Sequence, residues 1–171
     1  HTALRTGVFN RPFGHEIAYS SSLRESPERS AVFQTLFPEE RDLGAMITLQ
    51  PLKDMGWLNI KINAGLFAGN GIKQETDSRK DFIGHLLLSN SSNNNWGFGL
   101  GFSYYNGGVY QGNENVYTMQ GNEFMLNNNQ SNKGKYAKRE YVGFNINFDS
   151  SPIIGDLKLS SEWIFGTQPG S

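Results

Sequence analysis

Cysteine is absent from the 171 residues, which excludes a disulfide framework and any thiolate metal site. No run approaches the roughly 18–20 continuous apolar residues that carry a helix across a bilayer, so a helical membrane protein is excluded as well. Charge of either sign is close to balanced, with 15 Lys and Arg against 16 Asp and Glu. No basic field or basic run points to nucleic acid. Catalytic signatures are missing too. No G-x-S-x-G, H-E-x-x-H or phosphate-loop pattern occurs, "GNGIKQ" lacks the Lys-Ser/Thr ending, and "GFGLG" has no helix after it. His15 and His85 do not have the spacing of a metal pair. The sequence therefore gives no enzyme, no cofactor and no metal site to assign.

What is present is glycine, 20 residues, and aromatic side chains, 13% of the chain. The stretch "WGFGLGFSYYNGG" over 96–108 puts Trp96, Phe98, Leu100, Phe102 and Tyr104 on one parity and Gly97, Gly99, Gly101 and Ser103 on the other. A strand sends alternate residues to opposite faces, so one face is all bulk and the other is nearly bare backbone. The same alternation recurs. Leu58, Ile60, Ile62, Ala64 and Leu66 oppose Asn59, Lys61, Asn63 and Gly65. Val142, Phe144, Ile146 and Phe148 oppose Tyr141, Gly143, Asn145 and Asn147. Leu157, Leu159, Trp163 and Phe165 oppose Lys158, Ser160 and Glu162. The stretch 80–89 is less regular, because Ile83 and Leu87 share the parity of His85.

Seven strands are predicted, at 4–10, 43–50, 57–67, 80–89, 95–105, 138–148 and 156–166. Most run about ten residues, the length a strand tilted across a bilayer needs, against five or six in soluble sheets. One helix is predicted at 27–36, with Ser26 as its cap, Pro27 in its first position, and Arg24, Glu25, Glu28 and Arg29 pairing along it. The connections alternate between long (11–42, 68–79, 106–137) and short (51–56, 90–94, 149–155). Short turns at one end and long loops at the other describe an outer-membrane barrel, with its apolar face on lipid and its small, polar face on a lumen. Tyr104 and Tyr105 then fall at the level of an aromatic girdle. A single-chain barrel uses at least eight strands in even number, so residues 1–171 are expected to be one incomplete part of a larger barrel.

The segments "GVFNRPFGHE", "AYSSSLRESPERS", "LFPEERDLGAMI" and "NAGLFAGNGIKQETDSRKDF" resemble porins of the phosphate-selective porin O and P type, in the branch found in Bacteroidetes. The resemblance covers most of residues 4–105. It implies an all-β, antiparallel transmembrane β-barrel in the outer membrane of a Gram-negative cell, in contact with lipid and lipopolysaccharide and assembled as a homotrimer. It also implies that segment 11–42, with its short helix, folds into the lumen as a constriction. Cationic candidates on that segment are Arg11, Arg24, Arg29 and Arg41; Arg5, Lys61, Lys158 and Glu162 are pore-lining candidates by parity. Arg41 and Asp42 either mark the constriction rim or form a salt bridge that locks the loop to the wall. The same segment holds six acids (Glu16, Glu25, Glu28, Glu39, Glu40 and Asp42), a mixture that points to internal ion pairs rather than an anion ladder.

The leading expectation is a porin that passes small hydrophilic solutes or ions by diffusion. Two alternatives accompany it: a barrel with a structural or assembly role in a larger envelope complex, and a soluble β-sandwich that binds carbohydrate on Trp96, Tyr104 and Tyr105.

Overall fold

The computed structural model describes residues 1–19, 26, 28–51, 58–73, 78–90, 96–120, 123–151 and 155–169. The described residues form nine strands: β1 (Thr2–Asn10), β2 (Arg41–Leu49), β3 (Leu58–Phe67), β4 (Asp81–Asn90), β5 (Trp96–Tyr110), β6 (Asn115–Gln120), β7 (Glu123–Asn128), β8 (Tyr136–Ser150) and β9 (Leu157–Thr167). Seven of them make one sheet in the order β1-β2-β3-β4-β5-β8-β9, every neighbour antiparallel. The sheet is open: β1 and β9 are its two edges. All seven predicted strands are found. Each is joined to the next in sheet order, so the long connections (11–40, 68–80, 111–135) leave from one end and the short ones from the other.

The alternation holds along the sheet. Leu4, Val8, Leu43, Ile47, Ile62, Leu66, Leu100, Phe102, Phe144, Ile146, Leu159 and Phe165 are exposed on one face. Phe102 and Phe144 are register partners there, their rings 5.2 Å apart and edge to face. On the opposite, inner face stand Phe9, Asp42, Met46, Asn63, Phe67, Ile83, His85, Ser103, Tyr105, Tyr141 and Asn145, all buried. Ile83 and His85 share this face, so the irregular parity of 80–89 marks a strand whose inner side carries both core and polar groups.

Four details depart from the sequence reading. The 106–137 connection holds more structure than a loop, because β5 and β8 continue their pairing to Tyr110 and Tyr136 and the hairpin β6–β7 stands between them. The helix, α1 (Ala31–Leu36), starts at an N-cap Ser30 rather than at Pro27. Ser30 donates through its N–H and hydroxyl to the Glu16 carboxylate (2.6 and 2.8 Å), which holds this turn against the preceding limb of the loop. Tyr105 faces inward and is buried with its hydroxyl on Asp81, so of the two tyrosines only Tyr104 is on the outer, apolar face. Finally, a sandwich would put two multistranded sheets face to face. Among the described residues the second sheet is only the β6–β7 hairpin, and the long-loop half of the large sheet's inner face is covered by residues of the β1–β2 connection.

That covering makes the core. Phe13, Ile17, Phe33 and Phe37 from the connection pack on Phe9, Met46, Phe67, Ile83, Tyr105 and Tyr141 from the strands. Each such side chain stabilises the arrangement by about 1.5–3 kcal/mol relative to exposure. Phe37 is wedged between Tyr105 and Tyr141, at 5.8 and 5.6 Å between ring centroids, and Phe13 touches Phe37 at 5.1 Å.

Candidate functional site

The site is the inner face together with the connection that crosses it. The two ends of the connection are zipped where Arg11 N–H donates to the Glu40 carbonyl (3.1 Å), just beyond the Asn10–Arg41 register pair. From there residues 11–19 run over the strands, held by wall side chains that receive the backbone amides. Gly14 N–H donates to Ser103 Oγ at 2.9 Å. The Glu162 carboxylate accepts from His15 N–H (3.3 Å) and Glu16 N–H (3.4 Å). Gly14 is at φ 67, and a Cβ there would collide with the Glu162 carboxylate, so glycine is required both for the turn and for the approach. Lys158 Nζ donates to the Tyr19 hydroxyl (3.3 Å), and Asn10 Nδ2 ties the Ile17 carbonyl back to β1 (3.1 Å).

Arginines brace the connection from within. Arg29 pairs with Glu40 and donates to the carbonyls of Glu16 and Ile17. Arg11 is buried, its Nε 3.0 Å from Asp42 Oδ2, with its guanidinium 5.8 Å from the centre of the Phe37 ring. Asp42 also accepts from Gly69 N–H (2.9 Å). The Gly69 carbonyl in turn accepts from Arg139 Nη2 (2.9 Å), which pairs with Asp81 Oδ2 at 2.7 Å. Asp81 takes further bonds from the Tyr105 hydroxyl and Gly108 N–H, and the Arg139 guanidinium lies 5.2 Å from the Tyr105 ring centre. A polar chain thus joins β2, the 68–80 connection, β4, β5 and β8 at the long-loop end. Buried charges are tolerated only in such paired, hydrogen-bonded settings.

Placed residue by residue, the candidates separate. Arg11, Asp42 and Arg29 belong to the ion-paired scaffold. Glu162 and Lys158 are on the inner face but are engaged in anchoring the connection. Arg5 and Lys61 are on the inner face by register, Arg5 opposite Met46 and lying 5.7 Å from the Phe9 ring centre, Lys61 next to Asn59 and Asn63. Arg41 is a correction. It is exposed on the parity of Leu43 and Ile47, the outer face, and Asp42 pairs with Arg11 instead, because consecutive residues of a strand cannot share a face. Arg24 lies outside the described residues.

Sequence reading missed Asp81 and Arg139. They are 58 residues apart, and only the pairing of β4, β5 and β8 brings them together. The space above the glycine face is filled in part, since a Cβ at Gly99 would meet nothing closer than 3.6 Å. A Cβ at Gly143 would sit 3.1 Å from Phe13 Cζ, and one at Gly101 would overlap the Asn145 amide.

Two hollows flank the covered region. One, about 330 Å³, opens at the long-loop end among Arg11, Glu39, Lys73 and Arg139. The other, about 1100 Å³, lies between the connection and strands β8 and β9, lined by Glu16, Tyr19, Phe33, Asn147, Lys158 and Glu162 among others. Among the described residues no group of three or more His, Asp or Glu is placed to hold a metal ion, and no helix is long and apolar enough to cross a membrane. Comparison with family models, with curated proteins and with solved structures returns no match.

Proposed function

We propose that this chain supplies wall and constriction to an outer-membrane porin of the phosphate-selective porin O and P type, a passive channel for small hydrophilic solutes. The observation that carries this reading is a seven-stranded sheet with one face almost wholly apolar and exposed, and the other crossed by a long connection held by wall side chains. An exposed apolar area of this extent in water is an aggregation liability, whereas on lipid it is the ordinary state of a barrel wall. The strand lengths, 9 to 11 residues in β1–β4 and β9, suit a tilted crossing of the hydrocarbon.

In this reading the edges β1 and β9 are joined by further strands, the short connections face the periplasm, and the long ones face outward into the lipopolysaccharide. Residues 11–19 and α1 narrow the lumen, and solute passes by the 1100 Å³ hollow beside β8 and β9. Size exclusion at that gap is the mechanism, and no energy is coupled. The working unit is a trimer of identical barrels.

Reconstitution into planar bilayers tests the proposal. Stepwise ohmic conductance in potassium chloride is the expected result. Stable membrane insertion without conductance would replace the channel with the structural role in an envelope complex, for which the aromatic plug of Phe13, Phe33 and Phe37 is the supporting feature.

A further inference from the structure

Resting on the channel reading, we propose that the outer face carries, at its long-loop rim, a binding site for the phosphate groups of lipopolysaccharide, formed by Arg79, Lys80 and Lys138 around Gly108. The first ground is where the apolar band stops. On the outer parity β5 runs through Phe98, Leu100, Phe102 and Tyr104, then turns to Asn106 and Gly108. β8 runs through Phe148, Ile146, Phe144 and Val142, then turns to Glu140 and Lys138. Register makes these one boundary: Tyr104 faces Val142, Asn106 faces Glu140, and Gly108 faces Lys138. On β4, Phe82 is the partner of Asn106 and has its ring 6.4 Å from that of Tyr104, and Lys80 lies two residues beyond it. A barrel wall leaves the hydrocarbon where its apolar residues end in aromatic ones, so these cations stand at the level of the headgroups.

The second ground is that the cations converge. A Cβ at Gly108 would sit 3.0 Å from Arg79 Cζ, so the guanidinium lies over that glycine on the outer side of the sheet. It is held there by a hydrogen bond from Nη2 to the Gly107 carbonyl (3.2 Å) and by the Tyr136 ring, whose centre is 5.3 Å from Cζ. Lys138 stands beside Gly108 on β8, and Lys80 is exposed on the β4 side. Glu140, next along the outer parity of β8, pairs with Lys138 and accepts from the Tyr104 hydroxyl at 2.7 Å, which ties the lysine to the edge of the band. A positioned guanidinium between two ammonium groups suits a phosphate, which accepts from both kinds of donor.

The third ground is asymmetry, and it selects the source of the phosphate. At the short-turn end the outer positions are Leu49, Leu58, Asn90, Trp96, Ser150 and Leu157, with no Lys or Arg among the described residues there. Attraction to anionic phospholipid in general would favour cations at both rims. Here they gather at the rim that the channel reading turns toward the lipopolysaccharide leaflet, where Arg41 adds another on the same parity of β2. The cluster also continues the lipid-facing side of the wall and does not open into the lumen, so a phosphate carried on a lipid reaches it along the apolar face.

Native mass spectrometry of the full protein in detergent micelles, with diphosphoryl lipid A or its dephosphorylated form added, tests the inference. The protein is expected to retain the diphosphoryl form several-fold more than the other. Lys80→Gln with Lys138→Gln, both exposed, should remove most of that preference and Arg79→Gln the rest, whereas Arg5→Gln with Lys61→Gln on the inner face should leave it intact. Equal retention of the two forms, a preference kept by the triple variant, or the same loss from the inner-face pair would overturn the inference and leave the channel. Displacement of lipid A by an equal concentration of inorganic phosphate would overturn it too, by making the site one for a free anion. Protein that stays in solution without detergent would overturn the barrel reading and the inference together.

Discussion

The two halves of the inner face differ although the strands alternate in the same way through both. Toward the long loops, inner positions hold Phe9, Phe67, Ile83, Tyr105 and Tyr141, sealed under the β1–β2 connection and bordered by the Arg11–Asp42 and Arg139–Asp81 pairs. Toward the short turns, the same parity holds Asn59, Lys61, Gly97, Gly99, Asn147 and Lys158. What lies above the strand explains the difference. Where the connection packs its aromatic side chains on the strands, the inner positions are those of a core; toward the short turns they are glycine or polar. Parity tells which face a residue occupies, and the covering segment decides what that face must be.

Breaking the sealed half is expected to have the largest effects. Asp42→Ala leaves Arg11 buried without its carboxylate and should cost about 3–5 kcal/mol, read as a lower urea midpoint in micelles. Phe13→Ala opens a cavity among Phe37, Tyr105 and Tyr141 at a cost of about 3–5 kcal/mol, and single-channel conductance should rise as the connection loosens. The outer face provides the contrast. In the proposed barrel, Phe102→Lys would put a charge at mid-strand against hydrocarbon at a cost of about 2–4 kcal/mol, and is expected to lower the yield of inserted protein. Glu162→Gln keeps an oxygen that accepts from His15 and Glu16 N–H and should cost only about 1 kcal/mol, seen as added current noise when the strap lifts. Arg41→Gln should change stability by no more than about 0.5 kcal/mol and leave ion selectivity as it is, since this side chain is exposed on the outer parity at the strand's start.

Strand positions, the antiparallel order and the sorting of connections were legible because each depends on local pattern: alternation, strand length and turn residues. Alternation also contained two facts left unread. Arg41 shares the parity of Leu43, and Tyr105 that of Ser103, so the faces of both were already fixed. The β6–β7 hairpin was not legible, since "NVYTMQ" and "EFMLNN" sit in Asn-rich surroundings and every side chain of Glu123–Asn128 is exposed. Nor was the Asp81–Arg139 pair, which depends on strand order across 58 residues. The start of α1 shifted for a tertiary reason: Arg29 is drawn to Glu40 and to the carbonyls of Glu16 and Ile17, which keeps it out of the first helical turn.

The central claim is that the apolar face meets lipid and the opposite face meets water. Residues 1–171 carry no cysteine, so a thiol introduced here is unique among them. Single spin labels carried by Phe144→Cys, Ile146→Cys, Asn147→Cys, Phe148→Cys and Asp149→Cys in lipid vesicles would be compared for collision with oxygen and with a water-soluble nickel chelate. The account predicts a period of two, with oxygen favoured at 144, 146 and 148 and nickel at 147 and 149. Nickel access at both parities, from protein that stays in solution without lipid or detergent, would contradict it.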